Sequence, residues 1–363
     1  MTHDYQLIEL PEDAAADGPF GWALASRVDL AKVVSREFYG HDDWPITVQE
    51  FIGMRDHTRR SERQPGVVMV DPANPTRVVA KGWGYLTLLD NLNRLDFEVV
   101  VHPEHRRRGL GTQILQWFEA LARQEQRTTL SSWFDIKLSR EVQPQVTAPD
   151  GGSFDASHLG WQFASKRGWS LEQIERASVL DVPVASELLD EIMRESTPQA
   201  KGYRVVTWRG AIPTQWRQGF IDLQRAMSTD APQGGLEHDA EVWDEKRLAD
   251  EEAMAVAMGR VRLMCAAVHE GTGELAGFTE LSCPVQPTRH VFQWNTIIAS
   301  AHRGHRLGAL IKATNLAELQ RVRPQTTRVY TWNAVQNSYM LAINIRLGFR
   351  PEGGAATVQK KLV

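Results

Sequence analysis

Residues 102–111 read HPEHRRRGLG and residues 299–308 read ASAHRGHRLG, two basic, glycine-punctuated stretches in one chain of 363 residues. They align at a single offset: 302 − 105 = 197 for the histidines, and Leu110/Leu307 and Gly111/Gly308 obey it as well. Self-similarity at a fixed offset decides the architecture before any single motif does. The register reaches back to YQLIELP from Tyr5 and YRVVTWRG from Tyr203, both alternating like strands, at 203 − 5 = 198. Toward the ends, QFASKRGW to Trp169 and AINIRLGF to Phe349 each read as a helix closed by Gly before a strand, and the offset falls to 348 − 168 = 180. The missing 197 − 180 = 17 residues are REVQPQVTAPDGGSFDA, from Arg140 to Ala156, a Pro/Gly-rich insertion in the first half.

Between these marks both halves repeat one order. VVMVDP, VVAKGWGYLTLL and RLDFEVVVHP read as strands before the first loop, and GRVRLMCAAVHE, ELAGFTELSCPV and VFQWNTIIA before the second. After each loop comes an amphipathic helix, GTQILQWFEALARQEQ or GALIKATNLAELQRV, then a strand, TTLSSWFDI or TRVYTWNA. The expected class is α/β with two tandem domains, each a mixed, mostly antiparallel sheet flanked by helices. Residues 1–183 form the first, 184–202 a connecting helix, and 203–363 the second. The acidic run HDAEVWDEKRLADEEAM, from His238 to Met254, reads as a solvated helix face.

Composition narrows the partners. The formal net charge of −4 gives no general attraction to nucleic acid, and no apolar run approaches the roughly 18 residues that span a bilayer. MTHDYQLIELPEDAAADG lacks the basic and apolar regions of a secretory signal, so a cytoplasmic location is expected. Cys265 and Cys283 have no CxxC spacing, which predicts reduced thiols and no metal. A monomer with internal pseudo-symmetry or a homodimer fits the repeat.

A glycine loop between a strand and a helix exposes backbone N–H groups at the positive end of the helix dipole, and so forms an anion site. Arg106, Arg107 and Arg108 add charge, and a pyrophosphate is the natural guest. The plain alternative is a solvated basic turn that caps the helix. His102 and His105 beside it read as hydrogen-bonding caps.

Arg106-Arg107-Arg108-Gly109-Leu110-Gly111 resembles the R/Q-x-x-G-x-G/A loop of the GCN5-related N-acetyltransferases, and NAVQNSYMLAINIRLGF, Asn333 to Phe349, resembles that family's second motif. The resemblance implies acetyl-CoA as co-substrate, without a metal, and transfer of its acetyl group to the primary amine of a small molecule. A non-catalytic acyl-CoA-binding module is the alternative. The residues implied at the cofactor are Val99, Val100, Val101, Arg106 to Gly111 and Thr112, with Arg303, Gly304, Gly308, Asn333 and Asn337 in the second half. Two departures stand out: Arg306 replaces the glycine equivalent to Gly109, and the family's acid tyrosine position holds Ala164 and Asn344. Glu98 is the expected general base. Strand alternation places Asp96 beside it, and like-charge proximity would raise one of the two carboxyls. The matching second-half strand, QWNTIIASAHR, has no carboxylate, so the first half is expected to be active and the second partly degenerate. Tyr339 or Tyr330 would replace the missing acid, and the Arg140–Ala156 insertion is expected to border the acceptor.

Overall fold

The computed structural model describes residues 5–138, 144–230 and 232–362. Its first half runs β1 (Leu7–Leu10), α1 (Gly21–Tyr39), α2 (Val48–Thr58), β2 (Glu62–Arg63), β3 (Gly66–Asp71), β4 (Asn74–Thr87), β5 (Arg94–Val101), α3 (Leu110–Gln124) and β6 (Thr129–Ile136). It closes with β7 (Gln145–Thr147), β8 (Ser153–Asp155), α4 (Leu159–Ser165) and β9 (Ser170–Asp181). The second half opens with α5 (Ser186–Ser196), β10 (Tyr203–Arg209), α6 (Arg217–Asp230) and α7 (Glu245–Ala257). It continues through β11 (Arg260–His269), β12 (Leu275–Pro284), β13 (His290–Ile298), α8 (Leu307–Val322), β14 (Arg328–Ala334), α9 (Ser338–Leu347) and β15 (Arg350–Lys361). No helix among the described residues is long and apolar enough to cross a membrane.

One mixed sheet carries both halves, in the order β1-β3-β4-β5-β6-β15-β9-β14-β13-β12-β11-β10. Only β5–β6 and β13–β14 pair in parallel along this path. The centre holds an exchange: β15, the last strand of the second half, lies antiparallel to β6 of the first, while β9 of the first lies antiparallel to β14 of the second. β15 and β9 also pair with each other from Arg350↔Val179 to Gln359↔Ser170. Each half therefore completes its backbone hydrogen bonding with the other's closing strand, and neither sheet is closed alone.

Alternation sorts side chains to two faces. In the first half Leu95, Phe97, Val99 and Val101 pack with Leu110, Ile114 and Phe118 of α3, whereas Val100 packs with Trp83, Leu24 and Phe51 on the α1–α2 side. The second half repeats this with α8 on one face and α6–α7 on the other. The two features that reveal the repeat touch each other: the Tyr5 hydroxyl lies 2.9 Å from His105 Nδ1 and the Tyr203 hydroxyl 2.9 Å from His302 Nδ1. The acidic run departs from the expected solvated face. Arg60 of the first half pairs with Asp244 at 3.1 Å and Asp250 at 2.9 Å, so the run docks α7 on α2. Cys265 and Cys283 are free and buried.

Candidate functional site

The first glycine loop leaves β5 at Val101, makes a short 3-10 turn over Pro103–His105, and enters α3 at Leu110. Arg107 at φ 64° and Gly109 at φ 87° turn the backbone left-handed. The N–H groups of Arg107, Arg108 and Gly109 donate to no backbone acceptor among the described residues. With the free N–H groups of the first turn of α3 they make an anion cradle. A Cβ on Gly109 would meet nothing within 4 Å, so the space above the loop is open. The three arginines divide their work. Arg106 is spent on structure, with Nε donating to the Val101 carbonyl at 3.2 Å and both terminal nitrogens donating to Glu37 of α1. Arg108 donates to the Tyr5 hydroxyl at 2.9 Å, and Arg107 is exposed. The Thr112 hydroxyl accepts from Arg167 at 3.0 Å. His102, Glu104 and His105 bring potential metal-ligand atoms within 4.8 Å of one another. Their rings serve as ties, however, since His102 accepts from the Glu104 N–H and faces Arg77, and His105 meets Tyr5.

The second loop keeps the same frame. Arg303 Nε donates to the Ile298 carbonyl at 3.2 Å and Nη2 to Asp230 of α6 at 2.6 Å, as Arg106 does to Val101 and Glu37. Arg306 sits left-handed at φ 53° and ψ 18°, as Gly109 does at φ 87° and ψ −6°. Its side chain reaches toward Glu195, 3.4 Å away. The N–H groups of Gly304, His305 and Arg306 donate to no backbone acceptor among the described residues. Gly308 packs closely, a Cβ there lying 3.3 Å from Ile343.

What the loops feed differs. β5 and β6 pair only from Arg94↔Thr129 to Phe97↔Ser132, so beyond Phe97 the β6-facing edge of Glu98–Val101 has no strand partner. An extended chain can take up those backbone groups as an added strand would. On the α1–α2 side of this opening stand Glu98, Asp135 and Tyr39. Glu98 Oε1 accepts from the buried Lys81 ammonium at 2.5 Å. Burial pushes the Glu98 carboxyl up, but the charges of Lys81 and Arg27 outweigh it and hold the group below the usual carboxylate range. Asp96 lies on the same face yet has its own cation, Arg94, with Nε 2.9 Å from Oδ1. Burial, not Glu98, raises the Asp96 carboxyl. The expected like-charge coupling of the two acids is therefore replaced by two separate ion pairs. The group that is poised lies across the opening: burial pushes Asp135 up to about 6, with the Tyr39 hydrogen bond pulling down and the Glu98 charge adding to the rise. The Tyr39 hydroxyl donates to Asp135 Oδ1 at 2.8 Å.

The signal for Asp135 was present in TTLSSWFDI, an acid at strand spacing among core residues. Tyr39, Lys81 and Arg27 meet it only through tertiary packing. The insertion, by contrast, does not border this face: its β7–β8 hairpin buries Ala148 and Phe154 in the core on the α3 side.

In the second half β13 and β14 part after Phe292↔Tyr330, and aromatic rings line the opening. Trp294, 49% exposed, stacks on Trp332 with centroids 6.1 Å apart, and Trp44 of the first half packs on Trp332 at 4.9 Å. Tyr330 is fully buried and donates its hydroxyl to Asp43 at 2.7 Å. Burial and that carboxylate push its ionisation well up. Tyr339 is 70% exposed at the start of α9, and no hydrogen bond holds its hydroxyl among the described residues. Asn333 accepts from Asn344 at 2.7 Å, and Asn337 caps α9 by accepting from the Met340 N–H, so both have structural duties.

Residues 67–145 match the family model of the Acetyltransferase (GNAT) domain. That stretch contains β5, the first loop, α3 and β6. Among solved structures, a tandem GNAT protein from the clavulanic acid biosynthesis pathway, without AcCoA, superposes with a TM-score of 0.74 at 25% identity, covering 98% of each chain. A GCN5-related N-acetyltransferase from Sphaerobacter thermophilus gives 0.60 at 12% identity over 98% of this chain and 95% of its own. A putative acetyltransferase from Pyrococcus horikoshii gives 0.51 at 12% identity over 98% and 90%. The last two show the fold alone. No curated protein matches the sequence. The first half thus holds the segment that matches the GNAT domain model, and the chain shares the fold of a tandem GNAT protein over its length.

Proposed function

We propose that the chain is an acetyl-CoA-dependent N-acetyltransferase that acts on the primary amine of a small molecule, with the chemistry in the first half. The observation that carries this reading is that Glu98, on the strand leading into the first anion loop, and Asp135 of β6 act on each other's charge at the β5–β6 opening. The loop N–H groups and Arg107 hold the diphosphate of acetyl-CoA, and the open edge of β5 aligns the pantetheine arm. A backbone N–H on that edge supports the developing oxyanion without reorganisation. Glu98, ionised throughout the neutral range, draws the proton from the ammonium so that the nitrogen lone pair can form the new N–C bond as the C–S bond breaks. Asp135 completes the negative face, and its titration near 6 sets the acid limit.

The second half lacks a carboxylate at the position of Glu98 and serves as the wall of the sheet through the strand exchange. Release of free thiol from acetyl-CoA, followed with a panel of small amines, tests the reading. Turnover with none of them, alongside intact acetyl-CoA binding, overturns it in favour of a binding module.

A further inference from the structure

Arg27 projects from α1 onto the sheet face that carries Glu98, and only 6% of it is exposed. Its guanidinium lies 3.9 Å from the ring centroid of Phe51 and 4.6 Å from that of Trp83. Nε and Nη1 have no hydrogen-bond partner among the described residues, and no ion pair there reaches the group. Arginine keeps its charge in proteins, and buried charges are ordinarily paired. The neighbouring acid, Glu98, makes its ion pair with Lys81 at 2.5 Å and acts on Arg27 only through the longer-range field. The Arg27 guanidinium is thus left without a direct ion pair among the described residues.

The repeat supplies an internal control. The strand position equivalent to Glu98 is Asn295 (98 + 197 = 295). Asn295 Nδ2 donates to Gln224 Oε1 of α6 at 3.3 Å, so in the second half two neutral amides close the contact between strand and helix. In the first half the helix on that face carries an arginine whose Nε and Nη1 have no hydrogen-bond partner among the described residues.

We infer that the acceptor carries a carboxylate beside its amine, and that Arg27 binds this carboxylate while Glu98 faces the amine. The inference rests on the proposed acetyltransferase reading. A guanidinium backed by two aromatic rings presents its N–H edge as a planar fork, which matches a carboxylate and no neutral group as well. Amines without an acid, such as simple polyamines, leave Arg27 unpaired and are disfavoured.

The experiment compares amino acids with their C-terminal amides in the thiol-release assay, and N-acetyl amino acids with their amides in thermal shift. Wild type is expected to turn over and be stabilised by the acid of each pair. Arg27→Met is expected to raise the acceptor KM by about 10- to 100-fold and to abolish the preference, the range for losing a charged hydrogen bond. The KM for acetyl-CoA should hold. Arg27→Met should also keep or raise Tm, since it removes an unpaired buried charge, and Arg27→Lys should recover part of the preference. Equal turnover or equal stabilisation by acids and amides overturns the inference, as does a preference that survives in Arg27→Met. Stabilisation of wild type but not Arg27→Met by N-acetyl amino acids, without turnover of any amine, upholds the carboxylate subsite and overturns the acetyltransferase reading alone.

Discussion

The two halves hold their glycine loops by the same bonds and part company a few ångströms away. Arg106 and Arg303 each clamp the end of the incoming strand and an acid near the end of a helix, Glu37 of α1 or Asp230 of α6. Tyr5 and Tyr203 each meet the loop histidine. The left-handed turn survives even where arginine replaces glycine. The strand openings behind the loops share none of this: the first is lined by Glu98, Lys81, Asp135 and Tyr39, the second by Phe292, Trp294 and Trp332. The loop frame is shared by the two copies through packing and backbone geometry. The differences are confined to side chains on one sheet face, where a few substitutions change the opening without touching the frame.

The most severe way to break the comparison is to separate the halves. Because β15 supplies the strand beside β6, residues 1–183 alone leave an unpaired edge in the middle of a sheet face covered by core residues. The isolated first half is expected to lack a cooperative thermal transition and to aggregate, while the full chain unfolds with both halves together. A cooperative transition of the fragment at the Tm of the full chain refutes the interdependence.

Next in size are the paired substitutions at equivalent strand positions. Glu98→Gln is expected to lower kcat by roughly 10²- to 10⁴-fold with the acetyl-CoA KM nearly unchanged. Asn295→Ala, at the matching site, should leave kcat within about twofold and cost at most about 1 kcal/mol for the hydrogen bond to Gln224. Equal losses of kcat from both would show that the second opening takes part in the reaction.

The repeat, the element order and the loop were legible in the sequence because each rests on local pattern: period-2 alternation, helical spacing, glycine positions. The strand exchange was not, since β9 and β15 have the same alternation whichever neighbour they pair with, and pairing is fixed by tertiary context. Glu98 could be found from its strand, but its partner could not. Lys81 lies on the adjacent strand, and only the register Lys81↔Val100 and Trp83↔Glu98 brings the ammonium to the carboxylate. Arg27 carries no local signal in the sequence, and its burial against Phe51 and Trp83 arises only from tertiary packing. The insertion was legible as an addition because Pro and Gly dominate it and the repeat offset drops across it, but its anchorage was not, since Phe154 reaches the core only through tertiary packing.

A smaller effect separates the acids of the first opening. Asp135 titrates at about 6 in the folded chain, above the 3.8 of an unperturbed aspartate. The fold therefore favours the protonated form. Its stabilising contribution is complete below the unfolded value and is lost as pH rises through about 6, a change of at most about 3 kcal/mol for a shift of about two units. Asp135→Asn keeps an acceptor for Tyr39 and cannot ionise, so its stability relative to wild type should grow between pH 4 and pH 7 by urea unfolding. The acid limb of the wild-type pH–kcat profile, with an inflection near 6, should shift or vanish in the same variant. An identical profile assigns that limb to another group.

The smallest effect tests whether Arg306 is what distinguishes the second loop. A non-glycine residue at φ 53° and ψ 18° carries backbone strain of about 1–2 kcal/mol, and Arg306→Gly relieves it. Glycine returns part of that gain through the greater freedom of the unfolded chain, about 0.5–1 kcal/mol. The lost pair with Glu195 is exposed on both sides, so it contributes little. The balance is a rise in Tm of no more than about 2 °C in a chain of this size. Since the arginine side chain reaches toward Glu195, CoA affinity at the second loop should change by less than about threefold, within the range of a minor side-chain contact. Calorimetry on wild type and Arg306→Gly measures this directly. A gain above tenfold would mean that the arginine swings over the loop in solution and that this one residue, not the aromatic opening behind it, silences the second site.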